Sequence, residues 1–271
     1  MESDLNFTKD ANGNSKYASF RNGSNIINLM PELVKSKRKF GNYKDLIQGR
    51  LKQYNSDAND RNLLVGNGFG LPGNPIFSFN GEQTLIYDLE LPELSFVKEL
   101  VSGLNSKTNL NNSWSLPVDE EIYNRIKESK GTHTLSKKLV EELKNNAHSN
   151  VAKREELIEK FCQDDSKLAK EYMDFVKDNN KTNMKEVLGF FPGNFEGMRL
   201  VYVGSVGIND SDALSYYGLI SGLDRLFGVG VGDAKIKISE EYFKKYLIKE
   251  LNFNEQQANE EFLKFQKYSQ N

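Results

Sequence analysis

Four short stretches of this chain carry side chains that could act together on a phosphoryl group. Asp88 and Glu90 stand in TLIYDLEL (residues 84–91), on one side of a period-two strand at its carboxyl end. Thr134 offers a hydroxyl in GTHT (residues 131–134), and Lys181 and Lys185 offer ammonium groups in DNNKTNMK (residues 178–185). The fourth stretch, VGSVGINDSDAL (residues 203–214), supplies Gly204, Ser205, Asn209, Asp210 and Asp212. Separated carboxylates that meet at one sheet edge can hold Mg²⁺ through hard oxygen ligands. A lysine and a hydroxyl beside them would bind phosphoryl oxygens, and an aspartate could attack phosphorus. Catalysis there would be mainly positioning and charge neutralisation.

The element that must position these groups runs from Arg199 to Asp233. Leu200-Val201-Tyr202-Val203 reads as a buried strand ended by Gly204. A polar turn with the acids follows, and the apolar spacing of Leu214, Tyr217, Leu219, Ile220 and Leu223 predicts a helix over the sheet. Phe227 to Val231 return as a second short strand. Ligands of open α/β sheets sit at the carboxyl ends of strands, where these acids are expected.

Composition bounds the alternatives. The chain has 271 residues, 27% charged and 38% hydrophobic, which suits one large globular core with appended segments. Lys+Arg 36 against Asp+Glu 38 leaves a net charge of −2, so net charge does not indicate nucleic acid. One cysteine, Cys162, excludes an internal disulfide, and two histidines give no zinc set. The amino terminus has no apolar signal core and no apolar run reaches membrane-spanning length, so a cytoplasmic protein without a membrane is expected, delivery into a host cell being compatible with that.

The remaining stretches read as supports. Residues 1 to about 25 are polar and predict a mobile arm, followed by amphipathic helices at Asn25 to Lys35 and Tyr43 to Tyr54. In the second helix Tyr43, Leu46, Ile47 and Leu51 line one face, with Lys44, Arg50 and Lys52 elsewhere. The basic run Lys35–Lys39 is a solvated linker, or a contact for phosphate. Asn62 to Val65 predicts a strand before the glycine-rich GNGFGLPGNP (residues 66–75). That stretch fits neither a dinucleotide fingerprint nor a P-loop, and Pro72 and Pro75 make it a turn-rich connector. Phe77–Phe79 and Thr84–Leu91 read as strands around Asn80-Gly81. From Val118 to Asp178 the pattern is helical, with Thr134 at a helix start, and Trp114 in the preceding linker reads as a packing anchor. His133 and His148 read as surface histidines. Asn254 with Gln257 has the form of a capping box opening a last helix.

In this order the pieces resemble the haloacid dehalogenase superfamily of phosphohydrolases. LIYDLELPEL resembles its first motif, with Asp88 in the nucleophile position and Glu90 where the acid/base aspartate is expected. The resemblance places Thr134 and Lys181, or Lys185, on phosphate, and gives Asp88 and Asp210 the metal. Gly204 and Asp210 match the fourth motif, with Ser205 where an aspartate is usual and Glu90 one methylene longer than the usual residue. Its implication is a Mg²⁺-dependent phosphatase working through an aspartyl-phosphate on a small phosphorylated metabolite, with these departures leaving it impaired or inactive.

The fold expected with it is α/β: a Rossmann-like, mostly parallel sheet with helices on both faces, plus a helical insertion and helical terminal segments. The division expected is an arm and helices over 1–60, a core over 61–250 with an insertion at about 118–178, and a terminal helix over 251–271. Two other readings stand beside this one. One is a non-enzymatic assembly or interaction protein, viral structural or effector-like, forming homo-oligomers through helical arms. The other is a sirtuin-like NAD-binding domain, with Gly66–Gly73 as its first loop and Gly204–Asp212 as a ribose-contacting turn.

Overall fold

The computed structural model describes residues 4–9, 15–21, 25–53, 64–110, 114–145, 151–179, 190–204, 214–217, 225–229, 248 and 254–260. The chain divides into two compact units, Met1–Gly230 and Val231–Asn271.

A ten-stranded mixed sheet organises the first unit. Strands β1 (Asp4–Lys9) and β2 (Ser15–Arg21) pair antiparallel in the stretch expected as a mobile arm. They lead into α1 (Ile26–Lys35), the two-residue β3 (Lys39–Phe40) and α2 (Tyr43–Gln53). The long β4 (Phe69–Phe79) and β5 (Glu82–Ile86) form a hairpin. Its turn residues Asn80 and Gly81 have φ of 52° and 81°, the left-handed pair that a two-residue hairpin turn demands. A 3₁₀ turn at Pro92–Leu94 precedes α3 (Ser95–Ser102) and α4 (Glu120–Lys127). Strand β6 (Thr132–Leu135) is followed by α5 (Lys137–Asn145), α6 (Val151–Phe161) and α7 (Ser166–Asn179). The last strands are β7 (Phe190–Phe191), β8 (Gly197–Val203), β9 (Leu214–Tyr217) and β10 (Arg225–Val229).

The main path of the sheet is β1-β2-β10-β4-β8-β9-β7, with β3 beside β10 and β5 between β4 and β6. Among the described strands only β10 with β4 and β7 with β9 pair parallel; every other pairing is antiparallel. This overturns the expected mostly parallel, Rossmann-like sheet. Parallel neighbours need crossover connections, whereas β4 turns into β5 through two residues and then pairs back on itself. The expected strand–turn–helix–strand unit fails with it. Leu214–Tyr217 form β9, antiparallel to β8, where a helix was expected.

The glycine-rich stretch is neither a connector nor a nucleotide loop. It is β4, the strand in the middle of the sheet, and Leu64, expected in a strand, is helical instead. Along one edge β4 pairs with β10 at Phe69 and Gly70, then with β5 from Ile76 to Phe79. Its other edge follows β8, with a register shift between Leu71 and Pro75. Pro72 and Pro75 sit at this irregularity, where the ladder does not need their missing N–H groups. Gly73 there donates its N–H to Gly41 O at 3.0 Å, and a Cβ on it would stand 2.8 Å from Phe40 O. Only glycine allows that approach. Asn74 completes the joint: its carbonyl oxygen takes the Tyr43 N–H at 2.6 Å and its amide donates to Ile86 O at 2.9 Å.

Two apolar clusters lie against the sheet. Val201 and Val203 of β8 belong to one, with Tyr43, Leu46, Ile47, Phe161 and Tyr172 from the helices. Met198 and Leu200, the alternate residues, belong to the other, with Leu33, Val97 and Ile126. Period-two alternation thus sends neighbouring residues of a strand into different cores. The N-cap Asp119 fixes the start of α4 by accepting the Ile122 N–H at 2.8 Å. In the second unit, Asn254 and Gln257 exchange reciprocal bonds at 2.9 and 3.0 Å at the start of the helix over 255–260. That is the expected capping box.

Candidate functional site

The acids expected to do chemistry are engaged in holding a turn. Asp88 and Glu90 lie beyond the end of β5, and Asp88 Oδ1 accepts the Glu90 N–H at 3.2 Å. Glu90 pairs with Lys98 of α3 at 2.7 Å in a largely exposed setting. The N–H groups of Tyr87 and Asp88 both reach Gly131 O, at 2.9 and 3.3 Å. Gly131 has φ of 74°, and a Cβ there would lie 2.9 Å from Asp88 O and 2.6 Å from Leu91 Cδ1. Two turns are clamped face to face through a glycine.

Thr134 does not open a helix. It sits in β6 opposite Thr84, and the two hydroxyls are 3.0 Å apart. Tyr123 OH lies 3.1 Å from Thr84 Oγ1 and 3.2 Å from Glu82 Oε1, and Lys127 reaches the same carboxylate at 2.6 Å. This chain of hydroxyls closes on an ion pair. Burial is the first reason the Tyr123 phenol is held well above its usual range. Thr134 stands on the Thr84 rung inside β5, whereas Asp88 lies beyond the strand's end at Ile86.

Gly204 follows β8, and its carbonyl accepts from Arg50 Nη2 at 2.7 Å. Strand β4 separates β5 from β8. Leu85 pairs with Ile76 and Val203 with Phe69, seven residues apart on β4 and ~24 Å at ~3.4 Å per residue. The ends of β5 and β8 therefore lie at different levels along β4. Lys181, Lys185, Ser205, Asn209, Asp210 and Asp212 lie outside the described residues, as does His148. Among the described residues no three His, Cys, Asp or Glu side chains gather as a metal would require. His133, half-buried on β6, lies 3.8 Å from Glu156.

The haloacid dehalogenase reading is thus corrected. Its parallel sheet is replaced by antiparallel hairpins, and the elements that should converge are separated by β4. The hydrolase and phosphatase assignments fall with that framework. The sirtuin-like reading has lost its first loop to β4.

Three features of the structure were not read from the sequence. Arg50, placed on the polar side of α2, is completely buried. Trp114, read as a packing anchor, is 55% exposed. The residues after it are pinned: Ser115 is buried and its hydroxyl accepts from Arg199 Nε at 2.8 Å. Leu116 and Met198 then exchange two backbone bonds at 3.0 and 2.7 Å. The third feature is an open cleft of about 720 Å³ beside the β4–β5 turn, with Ser78, Gln83, Lys137, Glu141 and Phe195 in its walls. Its signal was the pair of polar residues at Ser78 and Gln83, which face the same side as the core residues Ile76 and Leu85. A polar residue in a core-facing register marks either a satisfied network or a site.

No family model matches the chain, and no curated protein matches it. One solved structure is similar, described as "Accommodation of massive sequence variation in Nanoarchaeota by the C-type lectin fold", with a TM-score of 0.49 and 14% identity. That match covers 79% of this chain and 95% of the other. No helix among the described residues is long and apolar enough to cross a membrane.

Proposed function

We propose that this chain is a non-enzymatic interaction module whose anchor is Trp114. The observation that carries the reading is the exposure of that ring beside a pinned stretch of backbone. The only tryptophan of the chain is 55% exposed, while the next residue is buried and the one after is bonded to the central sheet. Arg199, which holds Ser115, stacks over the Phe195 ring at 4.6 Å and so braces the same corner. A large aromatic held in place gives up little conformational entropy when a partner covers it, which is why tryptophan dominates binding hot spots. The acids of the supposed catalytic site support the same reading, since Asp88 and Glu90 are engaged in a turn and a surface ion pair.

The sole tryptophan makes the test direct. Sedimentation across a wide dilution series, with intrinsic fluorescence on the same samples, reports assembly and burial of Trp114 together. A blue shift accompanying concentration-dependent assembly is expected, and Trp114→Ala should weaken it by at least about 2 kcal/mol, the scale of a hot spot, with unfolding unchanged. A chain that stays monomeric with Trp114 in water throughout overturns the assembly form of the reading.

A further inference from the structure

The cleft at the β4–β5 turn carries an inference beyond the Trp114 surface. Ser78 and Gln83 are each 1% exposed, and both line this cleft. Among the described residues neither Ser78 Oγ nor Gln83 Oε1 finds a hydrogen-bond partner. The two residues sit directly opposite one another in the hairpin. The two-residue turn makes Phe79 and Glu82 the closing, hydrogen-bonded pair, so Ser78 and Gln83 form the next, non-bonded pair, whose side chains lie closest. On the same rung Gly197 follows Ser78 in β8 and presents no side chain. The rung of Thr84 and Thr134 makes the contrast, because there every hydroxyl is paired.

The chemistry of the two open groups is specific. Gln83 Nε2 already donates to Gly193 O at 2.8 Å, which fixes the amide's orientation and leaves Oε1 as an acceptor. Ser78 can donate or accept. The carboxylates at the rim are committed elsewhere. Glu196 accepts the N–H groups of Asn80 and Gly81 at 3.2 and 3.3 Å, and Glu141 pairs with Lys144, which also contacts Asn194. A charged group brought to the floor would lose its water and meet only neutral dipoles. An apolar group would leave both polar atoms unanswered.

We infer that the cleft binds a neutral carboxamide group, with its N–H donated to Gln83 Oε1 and its carbonyl accepting from Ser78 Oγ. A primary amide carries a donor and an acceptor side by side in one plane, the complement of this pair. Access runs past Lys137, an exposed residue whose Cγ, Cδ and Cε lie 3.3–3.4 Å from the position of a Cβ on Gly81. Exposed side chains of this kind change rotamer on the picosecond-to-nanosecond scale, so Lys137 can swing clear of the mouth.

The test is a titration of the full, isotope-labelled chain followed by NMR. Propionamide is the neutral probe, propionate its charged isostere, and glycerol the hydroxyl control. The expected result is a saturable shift of the Gln83 side-chain amide and the Asn80 and Gly81 backbone amides with the neutral probe alone. Ser78→Ala, which removes one hydroxyl, should abolish saturation at the backbone amides, and Gln83→Met should do the same. Equal response to glycerol, no response to any probe, or a response that survives Ser78→Ala overturns the inference. A tightly held water at the floor with no probe binding also overturns it. If Gln83→Met proves unfolded by circular dichroism, the milder Ser78→Ala decides alone.

Discussion

Arg50 Nη1 donates to the Tyr172 hydroxyl at 2.7 Å, joining α2 to α7 across 122 residues of chain. The same guanidinium gives Nε to Leu64 O at 2.9 Å and Nη2 to Asn67 O and Gly204 O at 2.9 and 2.7 Å. A planar fork of donors thus ties the approach to β4 and the end of β8 to a helix pair. Removing it by Arg50→Met leaves several buried carbonyls without donors and should cost at least about 3 kcal/mol by urea unfolding. Tyr172→Phe removes one bond to a charged group and should cost about 1–3 kcal/mol. Arg50→Lys keeps the charge without the fork and should fall nearer to Arg50→Met than to wild type. Three equal, small losses would show that the guanidinium does not organise these loops.

The clamp between the turn before β6 and the turn after β5 predicts an asymmetry. Gly131→Ala forces a side chain into a left-handed residue and against Asp88 O and Leu91, which should cost of order 1–3 kcal/mol in backbone strain before any repacking. Asp88→Asn keeps the oxygen that accepts the Glu90 N–H and its half-exposed place in the turn, and should change stability by less than about 0.5 kcal/mol. Thermal unfolding of the two variants checks both. A severe loss from Asp88→Asn with a mild one from Gly131→Ala would reverse the reading of this corner.

What the sequence made legible was local, and what it hid was pairing. Tyr43, Leu46 and Ile47 announced the buried face of α2 because their spacing alone defines it. Asn80-Gly81 announced a hairpin because both residues tolerate a left-handed backbone. Leu214–Tyr217 satisfied a helical spacing equally well, and only the antiparallel partner β8 makes it a strand. Glycines and prolines at residues 66–75 look like a loop until β10, β8 and β5 close around them. Arg50 looked solvated because charge usually is, and the four oxygens that receive it come from residues 64, 67, 172 and 204. The phosphoryl site was assembled from real acids and hydroxyls, but from their order along the chain. Order does not determine which strands are neighbours.

The capping box in the second unit gives a local prediction. Asn254 Oδ1 holds the Gln257 N–H, and Gln257 Oε1 holds the Asn254 N–H. Asn254→Ala should cost about 1 kcal/mol of helix stability. Hydrogen exchange at the Gln257 amide should quicken several-fold, while Gln257→Ala should expose the Asn254 amide instead. Unchanged exchange in both variants would mean that the box does not hold in solution.

Alkali should destabilise the fold, and the sign follows from burial. The Cys162 thiol, fully buried, is pushed from 9.0 up to about 12, by desolvation first and then by Asp165. The Tyr17 phenol is pushed from 10.0 up to about 12, again by burial first and then by Asp45. In each case the folded state holds its proton at a pH where the unfolded chain has released it. Stability is therefore complete below the unfolded values and falls as pH rises from 9.0 through about 12. Unfolding by urea at a series of pH values should show the midpoint begin to drop near pH 9.0, the ordinary thiol value. Cys162→Ala opens a small cavity and lowers the midpoint at neutral pH, yet it should remove the first part of that decline and leave the tyrosine part. The native thiol should also resist a thiol reagent until urea unfolds the chain, since only the exposed thiolate reacts. A flat midpoint between pH 9.0 and 12, or rapid modification of the folded protein, would place Cys162 at the surface and contradict the packing of α6 against α7.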